Sequence, residues 1–125
     1  MWTGAWIGLP YAAGGRGPSY DCFGLVQALY RERHGIDLTA PEARLADHRA
    51  ALAAAGTGWA AVAPEDVTEG DALVFRAVTP GALHVGYAVS GRDFLHTSPG
   101  QGSRVENWHR LGWRALLVGC WRHAV

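Results

Sequence analysis

The 125-residue sequence contains no lysine: its 11 basic residues are all arginine, matched by 11 acidic ones. The formal net charge is zero and no basic stripe appears, which excludes the electrostatic footprint of a nucleic-acid binder. The arginine bias itself carries no functional weight. No apolar run approaches the ~20 residues of a membrane span, and no basic amphipathic stretch points to a lipid surface. The N-terminus, Met1-Trp2-Thr3-Gly4-Ala5-Trp6, lacks both a basic region and a long apolar region, so no secretory signal is expected. Cysteine is scarce. Cys22 and Cys120 alone are not a disulfide framework, and there is no CxxC pair for zinc.

What is present describes a globular chain. Hydrophobic residues make up 49% of it, enough for a real core in one domain over residues 1–125. The chain is organised around Asp21-Cys22-Phe23-Gly24-Leu25-Val26, which follows a glycine-rich run over residues 14–20. Phe23, Val26, Leu29 and Tyr30 recur at three- and four-residue steps, the spacing of one buried helix face. The spacing predicts a helix over 22–34, capped by Ser19 or Asp21 and closed by Gly35. Cys22 then lies in the first turn, where free backbone N–H groups and the helix dipole are expected to lower its pKa and favour the nucleophilic thiolate. The plain alternative is a small buried hydrophobe.

Residues 2–9 read as a helical turn or packing arm. Residues 41–55, with their alanine run, read as a second helix closed by Gly56. His34, in the last turn of the first helix, suggests a surface position, and His48, among polar residues, is given no role. Beyond Gly70 the period changes from helix to strand. Residues 71–75 look like one strand, 84–89 and 93–96 like a hairpin, and 116–121, which holds Cys120, like a last buried strand. Helices first and strands after predict an α+β fold with an antiparallel sheet. The loop over 76–83 is expected beside the site.

The hairpin supplies two histidines, His84 and His96. Pairing them directly opposite each other makes paired positions sum to 180. It requires a three-residue connection, 89–91, with Gly91 in the left-handed conformation. Both rings then share a face, and a line from Cys22 through His84 to His96 becomes available. In it His84 takes the thiol proton and His96 holds His84 in orientation. The same three residues would also make a zinc set, but without the close ligand pair most zinc sites show. Neither metal nor cofactor is expected.

The ordered motifs Gly8-Leu9-Pro10-Tyr11, Gly14-Gly15, Asp21 to Val26, Gly70-Asp71, Phe75, His84-Val85-Gly86-Tyr87 and Phe94-Leu95-His96 span most of the chain. Together they resemble the NlpC-type cysteine peptidases of bacterial cell walls. The resemblance implies a compact papain-like fold, with a cysteine-bearing helix packed on an antiparallel sheet that carries the base. It implies cleavage of peptidoglycan stem peptides, commonly between γ-D-glutamate and the diamino acid. Cys22 matches the nucleophile, His84 the base and His96 the third polar residue. Tyr11 matches a tyrosine placed near the oxyanion, and Asp21 an acidic residue that contacts the substrate amine. Each also has a simple structural role, Tyr11 as a packed ring and Asp21 as a helix cap.

Many members carry serine after the cysteine, where this chain has Phe23. A bulky residue there resembles the branch found in phage tails and gene-transfer agents. With no signal peptide and no wall-binding module expected ahead of the motif, the chain is expected to be made in the cytoplasm. Phage-like tail proteins are then its expected partners, and the tail particle would carry it to the wall. The alternatives are a tail-tip structural protein that keeps the fold without useful activity, and another acyl-transfer enzyme, such as an amidase, on the same scaffold.

Overall fold

A computed structural model describes residues 2–38, 59–77 and 83–123. The helix expected over 22–34 forms as α1, Cys22–His34. Of the two cap candidates, Asp21 is the one used. Its side chain accepts the Gly24 N–H at 2.6 Å, satisfying a donor that every helix start leaves over. Gly35 ends the helix at φ 67°, and its N–H returns to the carbonyls of Arg31 and Tyr30. Glycine takes that left-handed conformation without steric cost. Between the caps, Phe23, Leu25, Val26, Leu29 and Tyr30 are buried.

Among the described residues, six strands make one antiparallel sheet: β1 (Trp59–Val62), β2 (Ala72–Arg76), β3 (Leu83–Ala88), β4 (Asp93–Ser98), β5 (Gly102–Asn107) and β6 (Leu117–His123). Their order is β1-β6-β2-β3-β4-β5, so the last strand of the chain runs through the interior of the sheet. Cys120, on β6, is buried there as a free thiol. The class is α+β, as expected. The order of elements differs from expectation, because a short helix α2, Leu111–Leu116, stands between β5 and β6. Strands β1 and β5 are the two sheet edges, and neither shows the apolar alternation that marks a half-buried strand. The second expected helix over 41–55, His48, and residues 78–82 of the expected loop lie outside the described residues. His34 is not a simple surface residue: its ring nitrogen Nε2 lies 2.8 Å from the Tyr87 hydroxyl.

The sheet separates two cores. On one face α1 buries its apolar stripe against Val74, Val85, Tyr87 and Leu95. On the other, Leu73, Phe75, Phe94, Trp108 and Cys120 pack together, with Trp113 and Leu116 of α2 laid over them. Side chains alternate along β3 and β4, so His84 and His96 belong to this second face, beside Phe75 and Phe94.

The hairpin differs in detail from the expected one. Tyr87 pairs with Leu95 and Ala88 with Phe94, so paired positions sum to 182 rather than 180. The Val89 N–H donates to the Asp93 carbonyl at 2.9 Å, which leaves Ser90, Gly91 and Arg92 as the connection. Gly91 does not adopt a positive φ. The Ser90 hydroxyl closes the turn instead, accepting the N–H groups of Arg92 and Asp93 at 3.2 and 3.0 Å. A serine bonded to the backbone two and three residues ahead replaces the left-handed glycine. The connection is still three residues long, so the two histidines share a face, displaced by two positions.

Candidate active site

The glycine-rich loop packs on the first turn of α1. Ala12 accepts the Gly15 N–H at 2.8 Å, and Gly15 accepts the Asp21 N–H at 3.3 Å. A side chain at Gly24 would collide with the Gly15 carbonyl, so glycine in the first turn is what lets the loop lie against the helix. Arg16 closes the arrangement by donating to the Gly15 carbonyl at 2.9 Å and to Asp21 Oδ1 at 2.8 Å, with its guanidinium over the Phe23 ring.

Cys22 is the first residue of α1 and half-buried. Its thiol is not shifted as the sequence leads one to expect. Burial pushes its pKa up and the Asp21 charge adds to this, while the amides of Val85, Phe23 and Cys22 itself pull the other way and do not prevail. The physical reason is local. The helix N-terminus already holds an anion, the Asp21 carboxylate, and Cys22 is screened from water. Among the described residues, no hydrogen bond joins the thiol to either imidazole. The link between them is β3: the Val85 amide faces the thiol, and His84 is the preceding residue.

Tyr11 forms an isolated parallel bridge with Tyr20 across the glycine loop. Its hydroxyl lies within electrostatic reach of the thiol: burial, then Cys22, then Asp21 push its pKa up. The structure thus gathers Tyr11, Asp21 and Cys22 at one end of α1, where Asp21 caps the helix through Oδ1.

The β3–β4 ladder runs through only two residue pairs, Tyr87–Leu95 and Ala88–Phe94. Beyond it, at the start of β3, a side-chain bond connects the strands: His84 Nε2 lies 2.9 Å from His96 Nδ1. Burial holds His84 down to about 4, with the Arg104 charge adding and Glu106 opposing. Burial also holds His96 down to about 3, helped by His84 and Arg104 against the pull of Glu106. At neutral pH both rings are uncharged. Thiol and imidazole therefore rest as a neutral pair rather than as thiolate and imidazolium.

The sequence reading missed three residues of this site. Trp113 on α2 stacks on His84 at 5.5 Å and 24°, and meets His96 edge-on at 4.9 Å. Glu106 on β5 lies 2.8 Å from the other His96 nitrogen, Nε2. It also accepts from Arg104 Nε at 2.8 Å and from Trp113 Nε1 at 3.3 Å. The available signal was parity: across the Gly100–Gly102 turn, Phe94 pairs with Glu106 and His96 with Arg104, which puts all four on one face. Zinc ligation by Cys22, His84 and His96 has no geometric support, since the two rings face each other through nitrogen atoms and no metal-binding cluster occurs among the described residues.

The pattern of the NlpC/P60 family matches residues 8–122. The chain is 31% identical over 121 residues to a Bacillus subtilis (strain 168) protein named gamma-DL-glutamyl hydrolase, covering 91% of this chain and 26% of that protein. It is 28% identical over 110 residues to an Escherichia coli (strain K12) protein named murein DD-endopeptidase MepS/murein LD-carboxypeptidase, covering 87% of this chain and 53% of that protein. The chain thus spans about a quarter to a half of the length of these relatives. Among solved structures, it superimposes on a Staphylococcus aureus NLP/P60 family protein with a TM-score of 0.72 at 25% identity, covering 97% of this chain and 38% of that one. It also superimposes on the NlpC/p60 domain of the peptidoglycan hydrolase SagA, with a TM-score of 0.60 at 25% identity, covering 87% and 86%.

Proposed function

The chain belongs to the NlpC/P60 family, and we propose that it is a cysteine peptidase of peptidoglycan with Cys22 as nucleophile, His84 as base and His96 as the residue that orients His84. The observation that carries this reading is the 2.9 Å bond from His84 Nε2 to His96 Nδ1. It occupies one nitrogen of the His84 ring and reserves Nδ1 for a proton from elsewhere. Of the two free thiols, Cys120 is buried and Cys22 is half-buried, at the Val85 amide beside His84.

The resting pair is neutral, so the proton moves as the bond forms. Cys22 Sγ attacks the scissile carbonyl carbon while His84 Nδ1 takes the thiol proton. The carbonyl oxygen becomes an oxyanion, and we assign its stabilisation to the Cys22 backbone N–H and the Tyr11 hydroxyl. His84 then returns the proton to the leaving amine, and the C–N bond breaks. Water, deprotonated by the same nitrogen, releases the acyl group from sulfur. Trp113 and Phe94 keep the histidine pair dry, which strengthens its hydrogen bonds.

The bond we assign is the one between γ-D-glutamate and the diamino acid of the stem peptide. Support comes from the likeness to a protein named gamma-DL-glutamyl hydrolase. We further assign the domain to a phage-like tail that carries it to the wall, on the strength of Phe23 in place of the usual serine. Purification of tail particles with or without the chain tests that assignment. The catalytic reading is tested by digesting purified peptidoglycan under reducing conditions and weighing the fragments. A new free amine on the diamino acid, absent with Cys22→Ala, is the expected result. Cuts in the sugar chain, or no cuts, would sink it.

A further inference from the structure

We propose that Glu106 is a positioning residue that fixes the protons of both histidines in series, so that His84 Nδ1 is left unprotonated. This rests on the reading of His84 as the base. A hydrogen bond between two neutral imidazoles is ambiguous: either ring can be the donor, and the distance is the same. If His96 Nδ1 carried the proton, His84 Nε2 would accept, its own proton would sit on Nδ1, and it could take nothing from a thiol. The pair therefore needs an outside reference.

Glu106 supplies it. The carboxylate is acceptor-only, and its surroundings keep it ionised: burial would raise its pKa, but the hydrogen bonds from Trp113 and His96, with the Arg104 charge, outweigh this and hold it low. Facing Oε2 at 2.8 Å, His96 must place its proton on Nε2. Its Nδ1 is then a lone pair, His84 Nε2–H must donate to it, and His84 Nδ1 is bare. No water competes, because His96 has 0% exposure and lies between the Phe94 face and the Trp113 edge. Among the described residues, the groups that face the ring are His84 from β3, Phe94 from β4, Arg104 and Glu106 from β5, and Trp113 from α2. The carboxylate cannot turn away, since Arg104 Nε and Trp113 Nε1 pin its two oxygens.

The test is Glu106→Met, which keeps the length and removes the acceptor. Arg104 Nε and His96 Nε2 share Oε2, so without the carboxylate the polar group left beside that ring nitrogen is a donor, and the ring keeps a lone pair there. That reverses both tautomers. Two-bond proton–nitrogen correlation spectra of the labelled protein should show both histidines as Nε2–H in wild type and mainly Nδ1–H in the variant. kcat on stem peptide should fall about tenfold or more with KM little changed. In a His96→Asn background the reference is no longer needed, because an amide carbonyl accepts without a tautomer to choose. There Glu106→Met should cost less than about twofold. Unchanged tautomers in Glu106→Met, or an equal loss of kcat in both backgrounds, would overturn the proposal. An inactive wild type would overturn the peptidase reading instead, while the spectra still decide the role of Glu106.

Discussion

His96 lies one position past the last β3–β4 pair, Tyr87–Leu95; that register, carried on, sets it across from Gly86 rather than His84, and its ring reaches His84 Nε2 at 2.9 Å. Diagonal neighbours on one sheet face are ~7–8 Å apart at Cα, a span that two imidazoles can close and shorter side chains cannot. The relationship makes Gly86 part of the site. A Cβ there would lie 2.5 Å from the Phe94 ring and 3.4 Å from His96 Cβ.

Gly86→Ala is therefore expected to displace Phe94, which stacks on His96 at 4.1 Å. Overpacking a rigid core position costs about 1–3 kcal/mol, and here the strain falls on the orienting ring. Turnover should fall by about tenfold while the protein still folds. Denaturant unfolding and peptidoglycan kinetics on the same preparation measure both effects. Activity equal to wild type would mean that the histidine pair does not depend on this packing.

Labelling with iodoacetamide distinguishes a neutral resting pair from an ion pair. Cys22 should react about tenfold or more faster than Cys120, which is 2% exposed and whose thiol is pushed up to about 11. The Cys22 rate should climb steadily through neutral pH, because burial holds its thiol above the ordinary range. His84→Ala should leave that profile nearly unchanged yet reduce turnover by ~10²-fold or more. A reactive plateau in acid that vanishes in His84→Ala would establish a thiolate–imidazolium pair and contradict this account.

The legible part of the site was the part written in local patterns. A helix start, a glycine loop and a hairpin each occupy about a dozen neighbouring residues, and they placed Cys22, His84 and His96 on the correct elements. The thiol pKa was misjudged because dipole arguments treat the helix end as vacant, whereas Asp21 fills it. Glu106 escaped notice because β5 is a polar edge strand without apolar alternation, and its partner is set by sheet order. Trp113 escaped because α2 is six residues long, contains Gly112 and has no buried residue to give it a period. Its importance comes entirely from what lies beneath it.

Acid should weaken the fold through the same two rings. His84 and His96 are held to about 4 and about 3 when folded, against ~6.5 when unfolded. Between these limits the unfolded chain binds more protons, so stability rises with pH. The contribution is complete above ~6.5 and is lost as pH falls towards the folded values, by up to about 1.4 kcal/mol per pH unit for each ring. Glu106, also held low, works in the same direction at more acid pH. Urea midpoints should be lower at pH 5 than at pH 7, and the difference should shrink in His96→Asn. Equal midpoints in wild type would mean that the rings are not buried in neutral form.

The decisive substitution for the orienting role is at His96 itself. Its ring is bonded at both nitrogens, to His84 and to Glu106. Asparagine offers a carbonyl to His84 and an amide to Glu106, so it can satisfy both neighbours without charge. It is shorter than histidine, and the diagonal span will stretch at least one of the two bonds. His96→Asn should therefore keep activity within about tenfold of wild type. His96→Ala leaves a cavity under Trp113, an unpaired His84 N–H and a carboxylate without its buried donor. It should lose more than tenfold in kcat, through a base that no longer points one nitrogen at the thiol. Because Cys22 is not ion-paired to His84 at rest, labelling of Cys22 should be nearly equal in wild type, His96→Asn and His96→Ala. Activity in His96→Ala equal to wild type would remove His96 from the mechanism and leave its burial between Phe94 and Trp113 as packing alone.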